Sequence, residues 1–376
     1  MELDRLELCN QRAGVVGSTP SLQTIAGTSI VADGDWDQVR LKLEDMELFQ
    51  SLRMHLVEGK DLRDTPIYKG EAGPDDTVTS GSWHAIYEQN VEEHSRRAQE
   101  LYASIREQGY LDQQALDSGL PHDEITIRIG RDGAILLENS IHRAMIAKIA
   151  GVRSVPAIVS ARHSGWMERR QRFVDFAATR ESGKLYGRLS HPDLRDIPHH
   201  HALDDRVGLF ADHIRAEGGN ALDLGCDTGL FSQYLDGRGF AVRAVERDPD
   251  LAAIARLLSQ IEGHDVEFIV GDLADDATVA SYADRPYKLV LCLNILHHLL
   301  KRKDTTHKLA AILGTFEIDQ MILQCHRQDE PQMQTAYRNF SPAEFAQFII
   351  DNSTLTRYEE IGVGSDGRTM ISLLRD

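Results

Sequence analysis

The stretch from Ala221 to Phe231 constrains the fold of this chain more than any other. It reads as a short apolar strand, a glycine-containing turn and a helix that begins near Thr228. Gly225 and Gly229 lack Cβ atoms, so the backbone there can pass close to a ligand. Free N–H groups at a helix start, beside the carboxyl edge of a parallel sheet, suit a nucleotide-like ligand. Because the spacing is not Gly-x-Gly-x-x-Gly, the turn alone does not define that ligand.

Three further apolar runs follow in the order expected for a parallel sheet, and each leads into polar residues. Glu246 ends the first run, where a carboxylate can accept both hydroxyls of a ribose. Asp272 ends the second, and the third leads into the polar turn Asn294–His298. Strand and helix alternating at this spacing predict a doubly wound α/β sheet with right-handed crossovers.

Together these segments, from about residue 220 to 300, resemble the class I S-adenosylmethionine-dependent methyltransferases. The run Asp223–Gly229 is similar to that family's glycine-rich first motif. The resemblance implies a Rossmann-like domain with a seven-stranded sheet and S-adenosylmethionine as the cofactor. It places Glu246 on the ribose, Asp272 at the adenine and Asn294 beside the transferred methyl group. The cofactor-binding residues that it implies are Asp223, Gly225, Cys226, Asp227, Gly229, Glu246, Arg247, Asp272, Leu273 and Asn294.

Methyl transfer to a hydroxyl requires a base, and histidine is the usual choice at neutral pH. Three histidines follow predicted strands on the cofactor side of the sheet, and we rank them His298, His326 and His297. Consecutive side chains point in different directions, so His297 and His298 cannot both face the same pocket. Each of the three also has a structural interpretation, as a helix-capping or core residue.

The loop after the fifth predicted strand is polar enough to bind sugar hydroxyls. It supplies Glu330, Gln332, Tyr337 and Arg338 as candidate acceptor-binding residues. Its combination with the Asn294–Lys301 run resembles methyltransferases found near glycan-assembly enzymes. The predicted function is methyl transfer to a hydroxyl or carboxyl of a saccharide or glycolipid precursor. The alternatives are a nucleic-acid methyltransferase and a nucleotide-sensing regulatory protein with an inactive methyltransferase domain.

Composition and charge argue against several classes of protein. The formal net charge is −18, which argues against a nucleic-acid partner, because such partners need clustered Lys and Arg. No apolar run is long enough to span a membrane, and the first residues lack the features of a signal peptide. The 4 cysteines show neither metal-like nor disulfide-like spacing. A cytoplasmic protein with reduced thiols is expected, and the sequence leaves its oligomeric state open.

The first half of the chain contains a second pattern. A predicted hairpin over 125–137, a capped helix from Ile141 and a strand over 155–159 resemble the ParB/sulfiredoxin-like fold. That family places Asp-Gly-x-His-Arg at the helix start, where this chain has Asn139–Arg143. His142 and Arg143 match and are candidates for binding an anion, whereas Ser140 replaces the glycine. The alternative is a relic domain in which both side chains only hold a loop.

These patterns predict three segments. Residues 1–165 form a smaller α+β ParB/sulfiredoxin-like domain with an N-terminal arm, 166–205 a helical linker, and 206–376 the methyltransferase domain. His199, His200 and His201 lie in the linker. Adjacent side chains on a regular element diverge, so we predict no metal site there.

Overall fold

The computed structural model describes residues 6–9, 30–38, 40–69, 80–111 and 124–376. The chain divides into two compact units, Met1–Arg172 and Phe173–Asp376, and the division falls within one helix, Ser164–Thr179. No helix in the described ranges combines the length and the apolar character needed to cross a bilayer.

A six-stranded mixed sheet organises the described part of the first unit, in the order β2-β6-β4-β5-β1-β3. Strand β1 pairs on both sides, parallel with β5 and antiparallel with β3, so this piece of the predicted N-terminal arm lies inside the sheet. The strands are β1 (Leu6–Cys9), β2 (Ile30–Ala32), β3 (Arg40–Lys42), β4 (Thr126–Ile129), β5 (Ile135–Asn139) and β6 (Ile158–His163).

The predicted hairpin, helix and strand are present, with two local differences. Ser140 precedes α4 with φ 58°, and its side chain donates to Glu124 O (3.2 Å) instead of capping the helix. Strand β6 runs over 158–163 rather than 155–159, because Pro156 delays regular pairing. The α-helices of this unit are α1 (Glu47–Leu56), α2 (Pro66–Lys69), α3 (Ser80–Gln108) and α4 (Ile141–Ile149), and α5 (Ser164–Thr179) crosses the division.

The second unit is built on a seven-stranded sheet in the order β11-β10-β9-β12-β13-β15-β14, as the family resemblance implied. Strands β9 to β13 are parallel, and β15 runs antiparallel between β13 and β14. The order reverses beside β9, which opens a crevice at the carboxyl ends of β9 and β12. The strands are β9 (Gly219–Leu224), β10 (Phe240–Glu246), β11 (Val266–Val270), β12 (Leu289–Leu293), β13 (Gln320–Gln324), β14 (Arg357–Val363) and β15 (Thr369–Leu374).

Helices cover both faces of this sheet. Leu309 and Phe345 pack on one face, and Phe210 and Phe231 on the other. All five residues of β12 are buried, as expected for a central strand that is covered on both sides. The helices are α6 (Asp204–Phe210), α7 (Leu230–Asp236), α8 (Pro249–Glu262), α9 (Asp276–Tyr282), α10 (Lys303–Leu313) and α11 (Pro342–Asn352).

Two boundaries differ from the sequence predictions. Helix α7 begins at Leu230 rather than near Thr228, because Gly229 has φ 80° and ends the turn outside the helical region. The predicted linker 166–205 is α-helical only to Thr179 and again from Asp204, where α6 begins. A short parallel pair lies between these two helices, β7 (Leu185–Gly187) with β8 (His199–His201).

Candidate active site

The glycine-rich turn is fixed against the ends of two strands. The N–H groups of Gly225 and Cys226 both donate to Val245 O, at 2.9 and 3.0 Å. Gly225 has φ +76°, and a Cβ at this position would lie 2.7 Å from Ile295 Cγ1. Only glycine fits this conformation and this space. The close approach that the structure shows at Gly225 is to Ile295, and the predicted approach to a ligand stays a prediction.

Glu246 connects the turn to the next helix. Its Oε2 accepts from the N–H of Asp227 (3.1 Å), and its Oε1 accepts from the N–H of Asp248 (2.9 Å). Each carboxylate oxygen can accept a further hydrogen bond. Glu246 therefore both shapes the turn and presents acceptor oxygens to the space beside it.

The strand-end cleft lies at the carboxyl ends of β9, β10 and β12, with a volume of about 700 Å³. Five predicted cofactor residues line it, together with apolar and charged side chains that sequence reasoning did not assign. Asp272 is at the wall, where its Oδ1 accepts from the N–H of Ala274 (2.8 Å). The lining residues are Gly225, Val245, Glu246, Arg247, Asp272, Leu273, Ala274, Asp275, Ile295, His298, Leu299, Asp304, Thr305 and Lys308.

Other predicted cofactor residues lie behind the turn rather than in the cleft wall. Asp223 is buried and accepts from Ser232 Oγ (2.6 Å), and burial raises its pKa to about 6. Cys226 is buried too, which raises the pKa of its thiol. Burial raises the pKa of Asp227 to about 7. Gly229 packs against Phe268 and Ala255. These residues support the turn from beneath.

His298 is the one predicted base that lines the strand-end cleft. Desolvation of the ring, followed by the charge of Lys301, lowers the pKa of His298 to about 4, although its edge remains exposed. Lys301 Nζ donates to its Nδ1 at 3.2 Å. The ring is therefore neutral at pH 7, and it must release Lys301 before Nδ1 can take a proton.

His297 and His326 lie deeper. His297 is buried beside His298 with ring centroids 4.1 Å apart, and neither of its nitrogens has a hydrogen-bond partner. Burial lowers its pKa to about 3. His326 Nε2 donates to Asn339 Oδ1 (3.1 Å), and burial lowers the pKa of this ring as well. Neither residue lines the strand-end cleft.

A second cavity, the hairpin pocket, has a volume of about 420 Å³ and lies beside the loop joining β14 and β15. Glu330 is on its wall, paired with Arg368 through two 2.7 Å hydrogen bonds. Burial opposes ionisation of Glu330, but the bonds from Arg368 hold its pKa at about 2. The lining residues are Tyr186, His201, Arg327, Glu330, Pro331, Gln332, Asp366 and Arg368.

The predicted acceptor residues thus separate into two groups. Glu330 and Gln332 line the hairpin pocket. The backbone N–H groups of Tyr337 and Arg338 donate to Lys301 O and Leu300 O, and their side chains stack on each other outside that pocket.

Tyr186 from β7 lines the hairpin pocket, and sequence reasoning missed it. Its hydroxyl accepts from Asn294 Nδ2 and from Arg206 Nη2, both at 3.0 Å. Arg206 Nη2 also contacts Asp366 Oδ2 at 3.3 Å. Strand β7 is only three residues long and has no periodicity, so only the fold brings Tyr186 to the site.

His142 and Arg143 belong to the first unit, near the start of α4. Burial lowers the pKa of His142 to about 4, so this ring is neutral at pH 7. Ser140, at φ 58°, keeps the left-handed backbone that a glycine would adopt there.

The middle of the second unit is similar in sequence to known proteins. Residues 221–315 match a protein-family model described as a methyltransferase domain. The ubiquinone biosynthesis O-methyltransferase of Azotobacter vinelandii is 31% identical over 102 residues, which cover 27% of this chain and 43% of that protein. The Xanthomonas euvesicatoria protein of the same name is 31% identical over 102 residues, covering 26% and 41%. The chain spans less than half the length of these two relatives.

Two solved structures have similar folds over part of the chain. Monomeric WbdD is 20% identical with a TM-score of 0.42, covering 51% of this chain and 46% of that one. Magnesium protoporphyrin IX methyltransferase from Synechocystis is 20% identical with a TM-score of 0.35, covering 46% and 78%.

The family match supports a class I methyltransferase domain, with S-adenosylmethionine as the cofactor that the motifs predict. The residues present fit this group. Gly225 and Glu246 line one cleft, Glu246 offers acceptors to ribose hydroxyls, and Asp272 lies at the neighbouring strand end. Leu273, Ile295 and Leu299 supply apolar surface in the same cleft for an adenine ring.

Proposed function

We propose that this chain transfers a methyl group from S-adenosylmethionine to an oxygen of a saccharide or glycolipid precursor. The observation that carries the proposal is the position of His298 in the same cleft wall as Glu246 and Asp272. A proton acceptor is thereby available where the cofactor binds. The names of the matched relatives, which are O-methyltransferases, support oxygen as the methyl acceptor.

The bound cofactor supplies an activated methyl group together with its leaving group. The chain supplies binding, orientation and proton handling. The glycine-rich turn and Glu246 hold the nucleoside, which fixes the distance to the acceptor. For a hydroxyl acceptor, His298 takes the proton at Nδ1 after Lys301 has moved away, and Lys301 remains bonded to Gln332 Oε1 (2.9 Å). A carboxylate acceptor carries no proton at neutral pH and needs no base.

The saccharide part of the proposal is supported by the hairpin pocket. Glu330 and Gln332 present carboxylate and amide oxygens that accept from sugar hydroxyls. The acidic character of the chain disfavours the nucleic-acid alternative.

Labelled S-adenosylmethionine tests the proposal. The purified chain is incubated with it and with separate glycan, glycolipid and RNA fractions from the source cells. We expect label in the glycan or glycolipid fraction and an equal yield of S-adenosylhomocysteine. Label confined to RNA would establish the nucleic-acid alternative instead. Tight cofactor binding without label in any fraction would favour a regulatory protein.

For the first unit, we propose a ParB/sulfiredoxin-like domain that binds an anion without hydrolysing nucleotides. The support is the order β4, β5, α4 and β6, with Ser140 in the glycine-like conformation. A side chain at Ser140 limits how closely a phosphate can approach the helix start, so contact through Arg143 is favoured over a backbone cradle.

A further inference from the structure

We propose that the hairpin pocket is the acceptor subsite for an uncharged saccharide, and that Tyr186 positions this acceptor by hydrogen bonding to it. The inference rests on the proposed function and narrows it to neutral polyols. It assigns a binding role to β7 and β8, the pair that precedes the methyltransferase sheet.

Tyr186 links the hairpin pocket to the turn that follows β12. Its hydroxyl is 3.0 Å from Asn294 Nδ2. The next residue, Ile295, lines the strand-end cleft, while Tyr186 itself lines the hairpin pocket. A ligand in the hairpin pocket that contacts Tyr186 is therefore next to the strand end where methyl transfer is proposed.

Tyr186 and Asn294 are hydrogen-bonded to each other, but one polar group of the two is left without a partner among the described residues. Arg206 can only donate, and it occupies one lone pair of the Tyr186 oxygen. With Asn294 Nδ2 on the other lone pair, the hydroxyl hydrogen has no protein acceptor, and Asn294 Oδ1 is buried without a partner. If the amide is reversed, the hydroxyl donates to Oδ1 and Nδ2 loses its partner instead. In the first orientation, a ligand acceptor can take the hydroxyl hydrogen of Tyr186, which lines the hairpin pocket. In the reversed orientation, the amide group left without a partner is buried and out of reach of a ligand.

The pocket wall combines rings with paired charges. The rings of Tyr186 and His201 lie 4.8 Å apart at an angle of 57°, and 40% of Tyr186 is exposed, so the wall offers aromatic surface to the apolar face of a sugar ring. Tyr and His surfaces of this kind are amphipathic, so hydroxyls at the ring edge can still reach polar groups.

The arginines that line the hairpin pocket are already paired with acidic side chains. Both arginines of the wall have an acidic partner, so neither is left to bind an anionic ligand without breaking a pair. The pairs are Arg368 with Glu330 and Arg327 with Asp329, and the wall residue Asp366 pairs with Arg206 outside the lining. Hydroxyl groups can bond to these carboxylates without disturbing the pairs, whereas a carboxylate or phosphate on the ligand would have to break a pair to gain a cation. The pocket chemistry therefore selects an uncharged polyol.

The test uses saturation-transfer NMR on the full chain with S-adenosylhomocysteine present. The probes are the methyl glycosides of glucose, galactose and mannose, each paired with its uronic acid. We expect at least one neutral glycoside to bind about tenfold more tightly than its uronate. Tyr186→Phe should weaken that binding about 3- to 10-fold, as expected for one lost hydrogen bond. Calorimetry should show unchanged affinity for S-adenosylmethionine.

Tyr358→Phe is the matched control, because Tyr358 is comparably exposed (37%) on β14 and outside both cavities. It should bind like the wild type, and melting temperatures should confirm that both variants fold. The inference is overturned if no neutral glycoside binds, if the uronates bind better, or if Tyr186→Phe weakens only cofactor binding. Tyr186-dependent glycoside binding without any methyl transfer would retain the subsite and reject the proposed function instead.

Discussion

Gly225 and Ile295 are in such close apposition that a single methyl group between them would overlap. A Cβ on Gly225 would lie 2.7 Å from Ile295 Cγ1 and 2.9 Å from its Cδ1. The turn after β9 and the turn after β12 are therefore packed as one wall of the strand-end cleft.

Gly225→Ala should destabilise the chain by about 1–3 kcal/mol, from the left-handed backbone and from this contact. Adding Ile295→Ala to Gly225→Ala should recover only the stability that was lost through the contact, since the backbone strain at φ +76° remains. Urea denaturation of the wild type, both single variants and the double variant measures this coupling. Strictly additive effects would mean that the two turns do not touch.

Glu246→Ala should lower affinity for S-adenosylmethionine by about 1–3 kcal/mol, because hydrogen bonds to a charged acceptor are lost. It should also loosen the turn, as Glu246 accepts from the N–H groups of Asp227 and Asp248. Glu246→Gln keeps one acceptor oxygen and should lose less. Titration calorimetry is the measurement, and an unchanged dissociation constant for Glu246→Ala would remove this residue from the site.

His298→Ala should reduce kcat by about 10²–10⁴-fold on a hydroxyl acceptor, with cofactor affinity intact. His326→Ala should have a smaller effect, because His326 is buried and bonded to Asn339. If the acceptor is a carboxylate, both variants should alter acceptor binding and barely change the chemical step. Single-turnover rates separate these cases. Wild-type rates in both variants on a hydroxyl acceptor would reject a histidine base.

Acid should destabilise the fold through His297. Burial lowers its pKa from 6.5 to about 3, so between these values the unfolded state binds more protons. The contribution of His297 to the free energy of unfolding is fully present above pH 6.5 and is lost as the pH falls below that value. Relative to His297→Leu, the wild type should lose about 1–2 kcal/mol more between pH 7 and pH 5. Contributions of opposite sign from Asp223 and Asp227 are common to both proteins and cancel.

Denaturant titrations at the two pH values measure this difference. His200→Leu is the control, since His200 is exposed and should show no such difference. Equal pH dependence in the wild type and His297→Leu would show that the pKa of His297 is not lowered in the folded state.

The first unit should release no phosphate from CTP or ATP above a buffer control, because Ser140 replaces the glycine of the matching motif. Any anion affinity should fall in Arg143→Ala. A phosphate-release assay and equilibrium binding of labelled CTP measure the two effects. Nucleotide turnover by the wild type would contradict the proposed role of this unit.

The strands that carry the predicted cofactor residues could be predicted from the sequence, because a buried strand leaves a continuous apolar run. Strands β9, β10 and β12 are apolar runs bounded by turn residues, and Glu246 ends one of them. The order of these runs predicted the parallel sheet, and the structure confirms it. The family match supports the cofactor. Individual contacts to it remain predictions.

The acceptor side was less predictable because its residues meet only through tertiary structure. Tyr186 and His201 belong to three-residue strands within a segment rich in His and Pro, where no period can be read. Asp366 and Arg368 come from a hairpin loop. Tyr337 and Arg338 have suitable chemistry for sugar binding, but their backbone bonds hold them beside Leu300 and Lys301.

All residues that line the strand-end cleft lie between 225 and 308, inside the stretch 221–315 that matches the methyltransferase model. All those lining the hairpin pocket lie outside it, in 186–201 and 327–368. If the hairpin pocket holds the acceptor as proposed, divergence in the two flanking segments changes the acceptor while the proposed reaction is retained. Exchanging those segments between homologous chains should transfer acceptor preference without altering cofactor affinity.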